Sequence, residues 1–536
     1  MKKILFAGLF IFCIQSLIFS QVDMNRYPII PQPVALQAAD GFFVLDQASR
    51  IETPENELRD VVGLLSSIIS QSTGITLSEI PKKSGNTIRF ELDNRITNPE
   101  EYLLTVSPGE ITISVSAAAG AFYAIQTIRQ LLISETASSG KTEWKIPCCH
   151  ITDYPRFAYR GFHLDVSRHF FTKEYLLKII DFLGMYKINT LQLHLTDDQG
   201  WRIQIDQFPL LTEIGAWRSF NRLDSICMKK SETNPDFSID KRFIKSVDGK
   251  TVYGGFYSKQ DIREIIAYAG ERFIEVIPEI DMPGHISAAI SAYPYLSCTG
   301  STGWGREFSV PACPCKPEMM DFAIRVWDEI AELFPSKYVH IGADEVEKDS
   351  WASSSECQKF MSEKKLDSIY EIQNYFVTEL QKHLEAKGKT VIAWDDVIDG
   401  EVNNKLVMMY WRDWLTGSPL KCARNGNNII LTPWTVFYFS GQHTDESLKR
   451  LYGYEVTTEM QPEVAEKVMG FQACVWTEEI PSEARFEYLV FPQLQAFAET
   501  CWSKSKDWDL FRTRLDSHLR RMDSLKINYR KPGFKN

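Results

Sequence analysis

Residues 338–351 read YVHIGADEVEKDSW. Tyr338, Val339, His340 and Ile341 are β-favouring and mostly apolar, which predicts a short strand at the head of this stretch. The acidic pair Asp344–Glu345 then falls where strand gives way to loop. In a closed sheet of parallel strands, that rim is where chemistry is placed. Neighbouring residues on an extended segment point in different directions, so one carboxylate can reach a reacting bond while the other holds a different part of the ligand.

Working outward, the same strand–loop–helix pattern repeats from Arg156 onward. Strands are predicted at 159–165, 190–195, 274–280, 338–342, 391–394, 406–411, 429–431 and 472–476. Between them lie amphipathic stretches. The helix at 173–186 follows a Thr172 cap and stripes Leu176, Ile179, Ile180 and Leu183; the helix at 318–334 starts after Pro317 and stops at Pro335. Eight strands alternating with helices predict an α/β fold, a TIM (β/α)8 barrel, with its longest insertions at 217–258 and 286–316.

Upstream, strands at 42–45, 87–92, 102–106 and 111–115 and a helix at 118–133 predict a small α+β domain. It carries no cluster of titratable residues and reads as structural support. The stretch IPCCHITDYP, at 146–155, reads as a connector. Lys2 and Lys3 precede an apolar run from 4 to 19, with Ser20 before a cleavage point at Gln21. That is the pattern of a signal peptide. The expected plan is therefore a leader at 1–20, an N-terminal α+β domain at 21–150 and a catalytic barrel at 151–536. The mature chain is expected to be exported, to the periplasm or the cell exterior, and without a membrane span.

The formal net charge of −11, with no basic cluster, argues against nucleic acid as a partner. Of 11 cysteines one, Cys13, lies in the leader, so ten remain, few for a disulfide scaffold of this length. Cys298 shares a Gly/Ser/Pro-rich loop with Cys313 and Cys315 and can pair with either. The single-residue gap between Cys313 and Cys315 does not suit common zinc sites, and neither a metal nor another cofactor is expected.

Each predicted strand ends in polar or aromatic residues: Arg168 after the first, Asp197 and Asp198 after the second, Asp281 and His285 after the third. Asp344 and Glu345 follow the fourth, Trp394, Asp395 and Asp396 the fifth, Trp411 and Arg412 the sixth. The seventh leads to Trp434 and Tyr438, the eighth to Trp476 and Glu478. Carboxylates and arginine give paired hydrogen bonds to vicinal hydroxyls, and indole faces pack on the apolar side of a pyranose. Phosphate-binding glycine loops and a G-x-S-x-G elbow are absent. The residues alone point to a barrel hydrolase acting on carbohydrate.

LDVSRHFF, LHLTDDQGWR, PEIDMPGH, HIGADEVEKDSW, VIAWDDV and WTEE, in that order, resemble the family-20 glycoside hydrolases, the β-N-acetylhexosaminidases. The resemblance spans nearly the whole mature chain. It implies a retaining, substrate-assisted hydrolysis in which the acetamido carbonyl of a terminal N-acetylhexosamine attacks the anomeric carbon through an oxazolinium intermediate. It makes Glu345 the general acid and later base, Asp344 the partner of the acetamido N–H, and Tyr438 the partner of the acetamido oxygen. Trp394 and Trp476 become walls around the acetamido methyl; Arg168, Asp197 and Glu478 grip the sugar hydroxyls, and His285 has a supporting polar role.

Two departures stand out. The family pattern Tyr-x-Asp is here Tyr438-Phe439-Ser440, which implies tolerance of a 6-modified sugar such as a 6-sulfate. Ala343 stands where many relatives have glycine. The plain alternatives are a solvated acidic turn for Asp344–Glu345, neutralisation of Asp165 by Arg168, a satisfied buried histidine for His285, and core filling for the two tryptophans. A disaccharide-releasing relative and a non-catalytic carbohydrate-binding protein are the competing functions.

Overall fold

Eight parallel strands close into a barrel: Tyr159–Asp165, Thr190–His194, Glu275–Glu279, Tyr338–His340, Thr390–Trp394, Val407–Tyr410, Ile429–Leu431 and Val468–Val475. The eighth pairs with the first, from Gly470 opposite Tyr159 to Val475 opposite Leu164, which completes the ring. This computed structural model describes residues 26–534 apart from 54–55, 79–84, 137–141 and 401; the leader expected at 1–20 lies outside the described residues. Among them, no helix is long and apolar enough to cross a membrane.

All eight predicted strands are present. The first is buried at every position, as a strand covered on both faces by side chains inside and helices outside must be. The eighth begins four residues earlier than expected, at Val468 rather than 472. A register slip opposite Ile429 and Ile430 and the glycine at 470 disguise its start. Gly470 is obligatory: a Cβ there would stand 1.8 Å from the carbonyl oxygen of Tyr159. The helix Lys173–Met185 is capped by Thr172, whose hydroxyl accepts from Tyr175 N at 3.2 Å, and Pro317–Leu333 starts on its proline.

The insertion after the second strand folds into a small sheet of Trp217–Arg218, Lys250–Gly254 and Ile244–Val247. The one after the third strand is closed by a Cys298–Cys313 disulfide, which settles the pairing left open by sequence.

The N-terminal module is a seven-stranded sheet with the helices Arg59–Thr73 and Ala118–Leu131 packed against it. The connector reading of 146–155 is corrected. Most of it belongs to the strand Thr142–Asp153, which sits inside the sheet between Ala35–Leu45 and Tyr102–Val106. Pro147 concealed it, because proline cannot donate to a ladder; here it falls opposite Phe42, next to a bulge where the pairing is already interrupted. The helix Arg59–Thr73, which buries Val61, Val62, Leu65 and Ile69, was also not anticipated.

The module docks where barrel strands begin, at the end opposite the mouth. Lys187, just before the second strand, places Nζ 2.7 Å from Asp153 Oδ2, and Trp502 Nε1 donates to Asp153 Oδ1 at 2.8 Å. Phe122 packs on Phe273, just before the third strand. These contacts fix the barrel from below and leave its mouth free.

Candidate active site

Beyond His340 the chain leaves the fourth strand through an unusual backbone. Gly342, Ala343 and Glu345 have φ of 66°, 70° and 50°, the left-handed region that L side chains avoid. At Gly342 no side chain fits, since a Cβ would lie 1.9 Å from Asp281 Oδ1. The turn is held by hydrogen bonds from Ala343 N to Asp281 Oδ1 at 2.9 Å and from Glu345 N to Asp396 Oδ1 at 3.3 Å. Its effect is to give the two acids different surroundings. The Asp344 side chain is 9% exposed and that of Glu345 is 30% exposed.

His285, itself at φ 47°, joins them. Its Nε2 lies 3.3 Å from Glu345 Oε2 and 3.9 Å from Asp344 Oδ2, while its Nδ1 lies 3.4 Å from Asp197 Oδ1 and 3.5 Å from Asp198 Oδ2. Burial disfavours the imidazolium, but Asp197 and the surrounding carboxylates outweigh it and hold His285 well above the usual histidine range. Asp344 moves the other way. Burial, then the charge of Asp281, pushes its carboxyl well above the carboxylate range. Asp281 is raised to about 7, chiefly by burial, with Glu279 adding to it. Asp344 Oδ1 and Asp281 Oδ2 are buried and accept from no amide, ring N–H or hydroxyl of the protein; the two carboxyls touch each other, and a ligand N–H would complete Asp344.

A second group gathers at the first, second and eighth strand ends. Arg168 Nη2 lies 2.8 Å from Asp197 Oδ2, its Nη1 lies 3.3 Å from Asp165 Oδ2 and 3.9 Å from Glu478 Oε1, and its guanidinium sits 5.0 Å over the Trp476 ring. Asp165 therefore orients Arg168 rather than consuming it. Burial would raise Asp197, yet Arg168 and His285 keep it well below the usual range, a fixed anion.

Beneath the mouth lies a hub that sequence reasoning missed. Glu279 is fully buried inside the barrel. Its Oε2 lies 2.9 Å from His194 Nδ1 and 3.4 Å from His163 Nε2; its Oε1 lies 3.2 Å from His340 Nδ1 and accepts from Trp394 Nε1 at 2.9 Å. Burial opposes its charge, but His194 and His340 hold it well below the carboxylate range. His194 carries the link on to Asp197 Oδ2 at 2.7 Å. Glu279 inside the otherwise apolar run VIPEI, at 276–280, was the available signal, because such a charge is buried only when paired.

Four rings make the apolar side. Trp394, wholly buried, lies 5.8 Å from Trp476, and Trp476 lies 6.2 Å from Tyr438. Trp411, noted at its strand end but given no role, stacks on Tyr438 at 6.3 Å and 17°, and its Nε1 donates to Asp396 Oδ2 at 2.8 Å. Ser440 Oγ accepts from Trp476 N at 2.7 Å, so the residue that departs from the family pattern positions an indole. Trp201 packs on Phe322 in the core outside this set. A cavity of about 530 Å³ opens beside Glu345, lined also by Asp396, Trp411, Trp414, Tyr370 and Lys348. All nine residues singled out from sequence, Asp344, Glu345, Tyr438, Arg168, Asp197, His285, Trp394, Trp476 and Glu478, thus converge at one end of the barrel.

Comparison with known proteins agrees with this geometry. Residues 157–505 match the model of the glycosyl hydrolase family 20 catalytic domain, and residues 26–154 match that of glycosyl hydrolase family 20, domain 2. The chain is 36% identical to a beta-hexosaminidase of Porphyromonas gingivalis, over 99% of this chain and 69% of that one. It is 30% identical to a beta-N-acetylhexosaminidase of Cellulomonas fimi, over 92% and 94%. Among solved structures, an exo beta-N-acetylglucosaminidase from Vibrio harveyi, in complex with N-acetylglucosamine, superposes with a TM-score of 0.81 at 32% identity, covering 95% of this chain and 79% of that one. A mutant beta-hexosaminidase of Streptomyces plicatus in complex with product gives a TM-score of 0.78 at 29% identity, over 95% and 97%. Two family models in tandem, on the two structural units just described, place the chain in glycosyl hydrolase family 20, and it is a glycoside hydrolase.

Proposed function

We propose that the protein is an exo-acting, retaining β-N-acetylhexosaminidase that removes one terminal N-acetylglucosamine or N-acetylgalactosamine from a glycan by substrate-assisted catalysis. The observation that carries this reading is the unlike pair joined by His285: a buried Asp344 with a bare oxygen, beside a Glu345 that reaches the cavity.

In this reading Arg168, Asp197 and Glu478 bind the hydroxyls of the terminal sugar and close the site beyond it, which favours release of a single residue. Trp476 and Trp411 flank the ring, with Trp394 as the floor. The sugar's own acetamido oxygen, held by Tyr438, attacks the anomeric carbon while Glu345 protonates the departing oxygen. Asp344 accepts the acetamido N–H on its unpartnered Oδ1, and the positive charge developing on the amide draws that carboxyl to its anionic form. Glu345, now a base, takes a proton from water, which opens the oxazolinium and restores the configuration. His285, protonated and in reach of both acids, keeps them apart in role by stabilising whichever is charged.

The test is to replace the N-acetyl group of an aryl substrate by N-trifluoroacetyl, a weaker nucleophile. A fall in kcat of at least tenfold is expected; an unchanged kcat rules out attack by the acetamido oxygen. Export is part of the same proposal and rests on the leader composition. N-terminal sequencing of the protein from the native host should begin at Gln21.

A further inference from the structure

Four of the ten cysteines beyond the leader converge directly behind the acid pair. Cys298 and Cys313 are bonded to each other. Cys357 Sγ lies 3.6 Å from Cys298 Sγ and 3.7 Å from Cys313 Sγ. Cys315 packs on the same cluster as Cys357 and lies against Glu356 and Phe360, which flank Cys357 on its helix. This sulfur group belongs to a compact apolar cluster with Val346, Trp351 and Ile372, and Val346 is the residue next to Glu345.

The elements that bring the sulfurs together are those that position the acid. Cys298, Cys313 and Cys315 lie in the loop behind the third barrel strand, while Cys357 opens the helix Ser355–Lys364 behind the fourth. The loop and the acid-bearing segment brace each other. Trp351 Nε1 donates to Ala312 O at 2.9 Å, and Glu347 accepts from Glu307 N at 3.0 Å and from Phe308 N at 3.4 Å.

We propose that Cys315 and Cys357 are a second redox site, which closes a disulfide beside Cys298–Cys313 and staples the loop to the helix that follows the catalytic acids. The chemistry needs an external disulfide, a small molecule such as oxidised glutathione or a dithiol oxidant protein. Cys315 is the point of entry, since it is half-buried and lines a surface cavity of about 450 Å³ with Tyr295, Glu356, Lys359 and Phe360. The neighbouring Cys357 and burial hold the Cys315 thiol well above the usual range. It therefore attacks one sulfur of the external disulfide as its proton passes to Cys357 and on to the departing external thiolate, which leaves as a thiol with a mixed disulfide on Cys315. The buried Cys357, as thiolate, then attacks Cys315 Sγ and expels the second external thiol. Two electrons and two protons pass to the external pair, and the protein gains one S–S bond.

The staple acts on the lifetime of the acid-bearing segment rather than on turnover, because none of the four cysteines touches the sugar site. The experiment uses the full chain produced in an oxidising compartment, then equilibrated with oxidised glutathione. Free thiols are alkylated under denaturing conditions and the digest is mapped by mass spectrometry. The result expected is a Cys315–Cys357 crosslinked peptide beside the Cys298–Cys313 one. In a Cys315→Ser variant the initial rate at 25 °C stays unchanged, while the half-life of activity on heating shortens by about tenfold. Cys315 and Cys357 both alkylated after the oxidant overturns the proposal. So does Cys357 linked to Cys298 or Cys313, or four alkylatable thiols with one zinc ion per chain in native mass spectra. The mapping on the unmutated chain decides the matter even if the variant folds poorly.

Discussion

The N-terminal sheet and the barrel mouth are built on opposite terms. Among its described residues the N-terminal module has no non-glycine residue at positive φ, and its strands alternate buried and half-buried positions in ordinary fashion. The mouth gathers His285, Ala343 and Glu345 in left-handed backbone, together with orphaned oxygens on Asp281 and Asp344 and the charged hub at Glu279. Each such feature costs about 1–3 kcal/mol and persists only where the surroundings enforce it. Sound packing below therefore supports strain above. Mutations in the two regions should separate stability from chemistry.

The largest effect belongs to the mouth. Glu345→Gln should lower kcat/KM for a sugar leaving group by about 10²–10⁴, with little change in Tm, as steady-state kinetics beside calorimetry will show. The converse is Leu104→Ala in the centre of the N-terminal sheet, where Leu104 is fully buried. It should remove about 2–5 kcal/mol of stability and leave kcat/KM untouched at 25 °C; a matching loss of activity would erase the division between regions.

A smaller effect comes through pH. Asp281 titrates at about 7 when folded, against the ordinary 3.8. A carboxyl raised in this way binds its proton more tightly in the folded state, so its stabilising contribution is complete below 3.8 and is lost as pH climbs through 7. Asp281→Asn keeps the acceptor for Ala343 N and removes that dependence. It should raise Tm relative to the parent at pH 8 and bring no such gain at pH 4. The smallest change is Ala343→Gly, which relieves a φ of 70° but frees the unfolded chain; Tm should move by a few degrees at most.

Much of this was legible in the residues. Barrel strands covered on both faces leave uninterrupted apolar runs, and the polar residues that end each run are those that meet at the mouth. What stayed hidden depended on three-dimensional context. Thr142–Asp153 was masked by Pro147, which a central strand accommodates only beside a bulge. Trp411 ends its strand as Trp394 does, and nothing local says that it stacks on Tyr438. The unequal burial of Asp344 and Glu345 follows from the left-handed turns at Ala343 and Glu345, and neither residue is the glycine that would have announced one.

The division of labour between those two acids is tested most directly by a leaving-group series of N-acetylglucosaminides measured with Glu345→Gln and Asp344→Asn. Glu345→Gln should lose most on poor leaving groups, which need a proton, and least on nitrophenols, which do not. Asp344→Asn should lose about equally across the series, since it acts on the amide. Parallel dependence of both variants on leaving-group pKa would contradict the account.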